Sequence, residues 1–207
     1  RRSGRRYATT PVPAEVMNRA IDAAMAAPNS SNLQCWEFIW VHSPEMRAAM
    51  VPLCMNQGAA RTGQELLVVV SNPTLWTKTN AEILKRARAD GSPKIVFDYY
   101  ERDMPLLYGW GWAWPIKRLV MEIVGLRRPV QRRPFTPRDV SEMWIKSASL
   151  AAENFMLAIA AQGFDTCPME GFDERRVKKL LGLHRRAAIA MVIAVGERDP
   201  QKGVRGE

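Results

Sequence analysis

An α+β fold is what this chain predicts, on three observations. Three apolar runs have the length and composition of buried strands: residues 35–41 (C-W-E-F-I-W-V), 66–70 (L-L-V-V-V) and 187–195 (A-A-I-A-M-V-I-A-V). Helical patterns separate them, the longest from 137 to 162. The resulting order is helix, strand, helix, strand, helical insertion, long helix, helix, strand, which places a small sheet among helices around one core.

The elements follow from local chemistry. Thr9 or Thr10 is placed to cap a helix that Pro11 and Pro13 help to start. Val16, Met17, Ala20, Ile21 and Ala24 then recur at helical spacing through Ala27, and Pro28 ends the helix. Strand 35–41 and a short helix at 44–51 come next. Strand 66–70 is bounded by Ser71, Asn72 and Pro73. A charged helix covers about 77–89, closed by Gly91, Ser92 and Pro93. From 93 to 137 the pattern is irregular: Trp110, Trp112 and Trp114 stand at alternate positions, and a basic, proline-containing run follows. Helix 137–162 ends at Gly163. Over 148–161 it is apolar nearly all round, as in a helix buried on most sides or lying in a dimer interface. Residues 164–171 form a loop or a short strand. Asp173 caps a helix through Leu181, and strand 187–195 closes the pattern.

Composition bounds the function classes. The chain has 207 residues, 47% hydrophobic and 25% charged, which suits one soluble globular domain. Its three cysteines, Cys35, Cys54 and Cys167, are odd in number and form no C-x-x-C. That favours a reducing, cytoplasmic setting over a disulfide framework. His42 and His184 are the only histidines, and neither has metal-ligand spacing, so no metal is expected. Residues 104–126 are long and apolar enough to suggest a membrane span. Lys117, Arg118, Glu122 and Pro115 argue against one, because each such charge costs about 2.5–3.5 kcal/mol on insertion scales. An exposed or partner-covered apolar surface is the expectation instead, with peripheral membrane contact left open. The net charge of +9 gathers at residues 1–6, 127–138 and 175–186. It fits solvated helix faces, a phosphate-bearing cofactor, nucleic acid or an anionic membrane equally.

Three stretches could carry chemistry. Residues 1–6 (R-R-S-G-R-R) offer bidentate guanidinium donors, a hydroxyl and a glycine that permits close approach, all suited to phosphate. They also fit a solvated basic terminus. Residues 28–36 (P-N-S-S-N-L-Q-C-W) crowd neutral donors and acceptors together, as the edge of an uncharged heterocycle requires. They also fit a turn held by its own Asn and Ser hydrogen bonds. Residues 163–172 (G-F-D-T-C-P-M-E-G-F) suggest a shaped backbone that presents N–H groups, or a plain turn. No nucleophile elbow, P-loop, dinucleotide fingerprint or H-E-x-x-H occurs. Side-chain nucleophilic catalysis is therefore weakly supported, and a cofactor that carries the chemistry is attractive.

Taken in order, R-R-S-G-R-R-Y, A-x-x-A-P-N-S-S-N-L-Q-C-W-E-F, A-x-x-A-E-N-F-M-L-A-I-A-A-Q-G-F-D-T-C-P-M-E-G-F-D and A-I-A-M-V-I-A-V-G resemble the FMN-dependent nitroreductase family. The resemblance covers about residues 1–72 and 141–199. It implies a three-layer α+β fold, a mixed, mainly antiparallel sheet flanked by helices, in an intertwined homodimer with FMN bound at interface sites. It implies one domain over 1–207 with a substrate-covering insertion at about 75–137. By position, Arg1 and Ser3 would meet the flavin phosphate, Arg5 the pyrimidine, and Arg2 the ring region. Pro28, Asn29, Ser30 and Asn32 would come from the partner subunit, and Asn56 would reach the pyrimidine edge. Pro168, Met169, Glu170 and Gly171 would cover the other face, with the Glu170 backbone N–H at flavin N5. Lys202 and Arg205 would complete the phosphate site. Tyr108, Trp110, Trp112 and Trp114 would stack on the acceptor, or else pack the dimer or the core. No catalytic side chain is implied. The implied reaction passes hydride from NAD(P)H through the flavin to a small aromatic or conjugated acceptor, nitroaromatic- or quinone-like. Two departures stand out: Asn29 where the family usually has Ser, and Cys35 where it usually has Pro. The competing readings are a same-fold flavoenzyme that dehalogenates, desaturates or fragments flavin, and, more distantly, a basic nucleic-acid-binding module.

Overall fold

The computed structural model describes residues 2–109 and 111–201. Four antiparallel strands form one sheet in the order β1-β2-β4-β3: β1 is Trp36–Val41, β2 Glu65–Ser71, β3 Asp165–Met169 and β4 Ala188–Gly196. β2 lies inside the sheet and is buried along its whole length. Its period-two alternation sends Leu66, Val68 and Val70 to one face and Leu67 and Val69 to the other. A register shift between Val69 and Val70 leaves Ala190 of β4 as an extra residue. Ala190 and Met191 therefore both face the same side.

Helices cover both faces, giving the expected three layers. On one side α1 (Ala14–Met25) packs along α8 (Pro137–Ala161), and both close over Trp36, Phe38, Leu67, Val69, Ile193 and Val195. On the other side α2 (Pro44–Leu53), α3 (Gly58–Thr62) and α9 (Glu174–Leu180) cover Val68, Val70, Val192 and Ala194. Local capping explains several boundaries. Ser43 accepts from the Met46 N–H at the start of α2, and Asp173 accepts from the Arg176 N–H at the start of α9. Thr136 and Asp139 form a reciprocal capping box at α8. Helix α1 departs from expectation: Pro13 occupies its cap position and no side chain caps it, so neither Thr9 nor Thr10 has that role.

The middle of the chain is helical where the sequence reads as irregular. After α4 (Trp76–Ala89), which is the expected charged helix, it runs through α5 (Lys94–Phe97), a wider π-type turn over Asp98–Asp103, α6 (Met104–Tyr108) and α7 (Trp114–Gly125). The physical reason is proline placement. Pro105 and Pro115 sit in the first turns of α6 and α7, where a missing N–H breaks no helical hydrogen bond. This segment has its own apolar cluster, in which Leu33, Cys35, Met104, Tyr108 and Trp144 are buried together. It therefore docks onto the loop before β1 and the first half of α8. Lys117 of α7 is only 8% exposed. It donates to the Leu107 carbonyl at 2.8 Å and to the Pro134 carbonyl at 2.7 Å, fastening α7 to α6 and to the entry of α8.

Candidate functional site

The amino-terminal segment is held against the β3 edge. Ser3 pairs in parallel with Thr166, and the Gly4 N–H donates to the Thr166 carbonyl at 3.0 Å. Tyr7 anchors the segment. Its ring is buried, its hydroxyl donates to the Ala194 carbonyl at 3.2 Å, and its N–H donates to Thr62 Oγ1 at 3.1 Å. Burial drives the Tyr7 phenol far above its ordinary pKa, so it stays neutral and can donate. The basic residues 2–6 are thereby set beside residues 165–171, which the sequence separates by some 160 positions and the edge strand brings together.

A pocket of about 240 Å³ opens at this junction, lined by Arg5, Arg6, Gln57, Gly58, Arg61 and Cys167 among its residues. No acidic residue among the described ones lines it. Arg5, Arg6 and Arg61 make no ion pair among the described residues, so their charge is uncompensated. Gly58 is required by a close approach: a Cβ there would lie 2.9 Å from the Arg5 carbonyl oxygen. Gln57 Nε2 donates to the Gly171 carbonyl at 2.7 Å, which ties the α3 start to the loop after β3. The backbone N–H groups of Glu170 and Gly171 donate to no partner among the described residues, and both residues are exposed. A cationic pocket beside two free, adjacent N–H groups is built to receive an anionic or electron-rich ligand.

The sequence singles out Asn56, yet its neighbour Gln57 lines the pocket. Met55 and Asn56 both adopt positive φ, 56° and 52°, in the turn between α2 and α3, and Asn56 is exposed. Arg6 belongs to the basic stretch 1–6 that the sequence marks, whereas Gln57, Gly58 and Arg61 are not marked by it. The Gln57-Gly58 pair, following two turn-forming residues, is the signal that marks this corner. Arg2 and Ser3 are exposed beside the pocket, and Pro168 and Met169 complete β3. Arg1, Trp110, Lys202 and Arg205 lie outside the described residues.

The polar stretch 28–34 sits elsewhere, before β1. A shallow recess of about 330 Å³ is lined by Pro28, Asn29, Ser30, Met143, Lys146 and Ser147, with Leu150 at its side. Much of the polar crowding is engaged. Asn29 Oδ1 accepts from the Gln34 N–H at 2.9 Å, and Asn29 Nδ2 donates to the Ala27 carbonyl at 3.3 Å. The Ser30 N–H reaches Ser147 Oγ at 3.4 Å. Three tyrosines of the middle segment hold the stretch from above. The Tyr108 hydroxyl bonds Ser30 Oγ at 3.1 Å, Tyr99 bonds Ser31 Oγ at 2.8 Å, and Tyr100 donates to the Ser31 carbonyl at 3.0 Å. They brace a stretch in which Ser31, Asn32 and Gln34 take positive φ. The side chains of Asn32 and Gln34 remain without a partner among the described residues.

The aromatic residues proposed from sequence to meet the acceptor separate here. Tyr108 is 8% exposed, its ring packed 4.9 Å from Trp144 and 6.0 Å from Trp76, centroid to centroid. Trp112 is 88% exposed and Trp114 is half-buried. None of the three lines either pocket. Cys35 is buried in the cluster with Tyr108. Burial pushes its thiol up to about 12, so it acts as a neutral packing residue.

With this geometry in place, the comparisons assign the class. The nitroreductase family model matches residues 1–197, and the chain belongs to the nitroreductase family. The chain is 28% identical to protein DrgA of Synechocystis over 185 residues, covering 89% of this chain and 74% of that one. Its fold matches that of the ydfN protein of Bacillus subtilis with a TM-score of 0.80, at 24% identity, covering 100% of this chain and 89% of that one. A protein of Exiguobacterium sibiricum solved in complex with FMN matches with a TM-score of 0.71 at 23% identity, covering 100% and 88%. At these identities the two solved structures speak to fold alone.

Proposed function

We propose that this chain is an FMN-dependent NAD(P)H oxidoreductase whose site is assembled from two copies. The acceptor class is small and aromatic or conjugated, nitroaromatic- or quinone-like. The observation that carries the reading is the junction on the β3 edge: unpaired Arg5, Arg6 and Arg61 beside the free N–H groups of Glu170 and Gly171. Those donors fit a flavin mononucleotide. Guanidinium groups suit its phosphate and the oxygens of its pyrimidine edge, Ser3 adds a hydroxyl, and free N–H groups suit the ring nitrogens. Bound FMN would supply hydride acceptance and donation, the chemistry that no side chain here offers. Arg1, Lys202 and Arg205 belong to the phosphate side of this assignment, and Arg2 to the ring region.

Strand order supports the two-copy assembly. The stretch 28–34 precedes β1 at one edge of the sheet, and residues 168–171 lie at the other edge. Three strand spacings separate those edges, about 14 Å before any offset along the strands is counted. Three fused rings cannot touch both halves within one copy. Pro28, Asn29, Ser30, Asn32 and Gln34 would therefore complete the site of a second copy. Leu150 and Leu157, both exposed on one face of α8 and seven residues apart, give the copies an apolar contact beside that stretch. In this assembly Asn29 and Ser30 shape the loop, while Asn32 and Gln34 keep free amides for the ring edge. The segment 75–137 covers the site, and Tyr108 contributes by holding Ser30. The nicotinamide and the acceptor would use the same open face in turn.

The test is spectroscopic. The purified protein is expected to be yellow, or to become so with added FMN, and to bleach under anaerobic conditions with NADH or NADPH. Colourless protein that cannot be reconstituted would overturn the reading. A bound flavin reduced by dithionite but by neither nicotinamide would favour a same-fold enzyme of different redox chemistry.

A further inference from the structure

Helix α7 turns a continuous apolar face to solvent. Ile116, Leu119, Val120 and Ile123 follow i, i+3, i+4, i+7 spacing and are all exposed. Trp112 precedes them at 88% exposed, and Leu126 follows them at 84%. The helix is held from another side by buried Lys117, so this face is presented on a fixed support rather than on a loose end. Its surroundings are cationic. Arg118, Arg127 and Arg128 are exposed and make no ion pair among the described residues. The one acidic residue of the helix, Glu122, is already neutralised by Arg132.

We propose that this face docks the protein onto an anionic lipid surface, with α7 lying in the plane of the bilayer interface. A helix of 12 residues is about 18 Å long, too short to cross a hydrocarbon core of about 30 Å. No helix among the described residues is long and apolar enough to cross a membrane. An apolar stripe with tryptophan at one end and arginines around it suits the headgroup boundary: side chains enter the acyl region while guanidinium groups meet phosphate. Charge distinguishes this occupant from a second copy. In a self-complementary contact through this face, Arg118, Arg127 and Arg128 of both copies would gather at one seam with no acidic side chain of the face free to pair them. An acidic headgroup layer complements them. Although α7 belongs to the segment assigned to cover the flavin site, it lines neither pocket, so this contact does not depend on bound flavin.

The full chain is mixed with vesicles of phosphatidylcholine alone or of phosphatidylcholine with phosphatidylglycerol, and binding is read by flotation and by tryptophan emission. Binding to the mixed vesicles is expected, with a blue shift that Trp112→Ala reduces and with weakening as salt rises. Leu119→Glu with Ile123→Glu should lower partitioning roughly tenfold or more, and Arg127→Glu with Arg128→Glu should act selectively on the anionic vesicles. Circular dichroism confirms that each variant stays folded. Failure of the wild type to bind mixed vesicles overturns the proposal, as does unchanged binding by the Leu119→Glu, Ile123→Glu variant. If that variant instead dissociates an oligomer that ignores lipid, the face is a contact between copies and the proposal is wrong.

Discussion

Replacing Tyr108 by Phe removes one hydroxyl and leaves the ring, so it isolates the bond that joins the middle segment to the polar stretch. The ring contacts with Trp144 and Trp76 survive, and no cavity forms. What is lost is the 3.1 Å bond to Ser30 Oγ. Burial raises the Tyr108 pKa, partly offset by the bond to Ser30, so the group is a neutral phenol near pH 7 and the bond is neutral to neutral. Such a bond contributes about 0.5–1.5 kcal/mol net. Ser30 is half-buried and can recover some of that from water, so a cost near 1 kcal/mol is expected, or about 2–4 °C in Tm for a chain of this size. The assay is a double-mutant cycle in urea with Tyr108→Phe, Ser30→Ala and both. Coupling of about 0.5–1.5 kcal/mol is expected, because the second change finds the bond already gone. Flavin retention should fall in both single variants if the loop completes a site. Additivity within about 0.3 kcal/mol would refute the claim that this bond positions the stretch.

Three further outcomes follow from named residues. Arg5→Ala should weaken FMN binding by about one to two orders of magnitude, the value of a charge-assisted contact. Glu170→Ala should change it little, because that residue is used through its backbone; equal losses in titrations would contradict the assignment. Asp139→Ala should cost α8 about 1 kcal/mol near pH 7. The N–H groups of Thr136 and Phe135 hold the Asp139 carboxylate below its usual pKa, so its contribution is present above pH 3.8 and is lost as pH falls through the lower folded value. The gap between wild type and variant should therefore close in acid unfolding curves. Burial lowers the Lys117 pKa, so between that value and the 10.5 of a free lysine the unfolded chain binds more protons and stability rises with pH. Lys117→Met should abolish this alkaline rise and, by leaving the Leu107 and Pro134 carbonyls unpaired, should cost about 1–3 kcal/mol at neutral pH.

How far the sequence could be read depends on where each element takes its stability. β2 and β4 are legible because they are buried on both faces, which forces continuous apolar runs. Helix α8 is legible from its long pattern and Gly163, which takes φ 86°. β3 is ambiguous because Asp165 and Pro168 disfavour strands, and only its edge position tolerates a proline. The segment 94–125 misleads because its two prolines read as breaks, although both open helices. At the site, the basic segment, the polar stretch and the loop after β3 are visible as chemistry. Their arrangement is not, since it rests on Ser3 pairing with Thr166 and on the strand order that sends the polar stretch to the far edge. The tyrosines that grip Ser30 and Ser31 lie about 70–80 residues away in sequence, so no local pattern could reveal what the crowded serines bind.

Subunit complementation tests the shared site most directly. Arg5→Glu damages the basic half and Asn32→Glu the polar half, and each variant alone should fail to retain FMN. When the two are unfolded together and reassembled at random, half of the dimers pair one of each, and every mixed dimer regains one intact site. About a quarter of all sites should then bind flavin and bleach with NAD(P)H. If each chain built its site alone, every site in the mixture would carry one lesion, and no flavin binding would return.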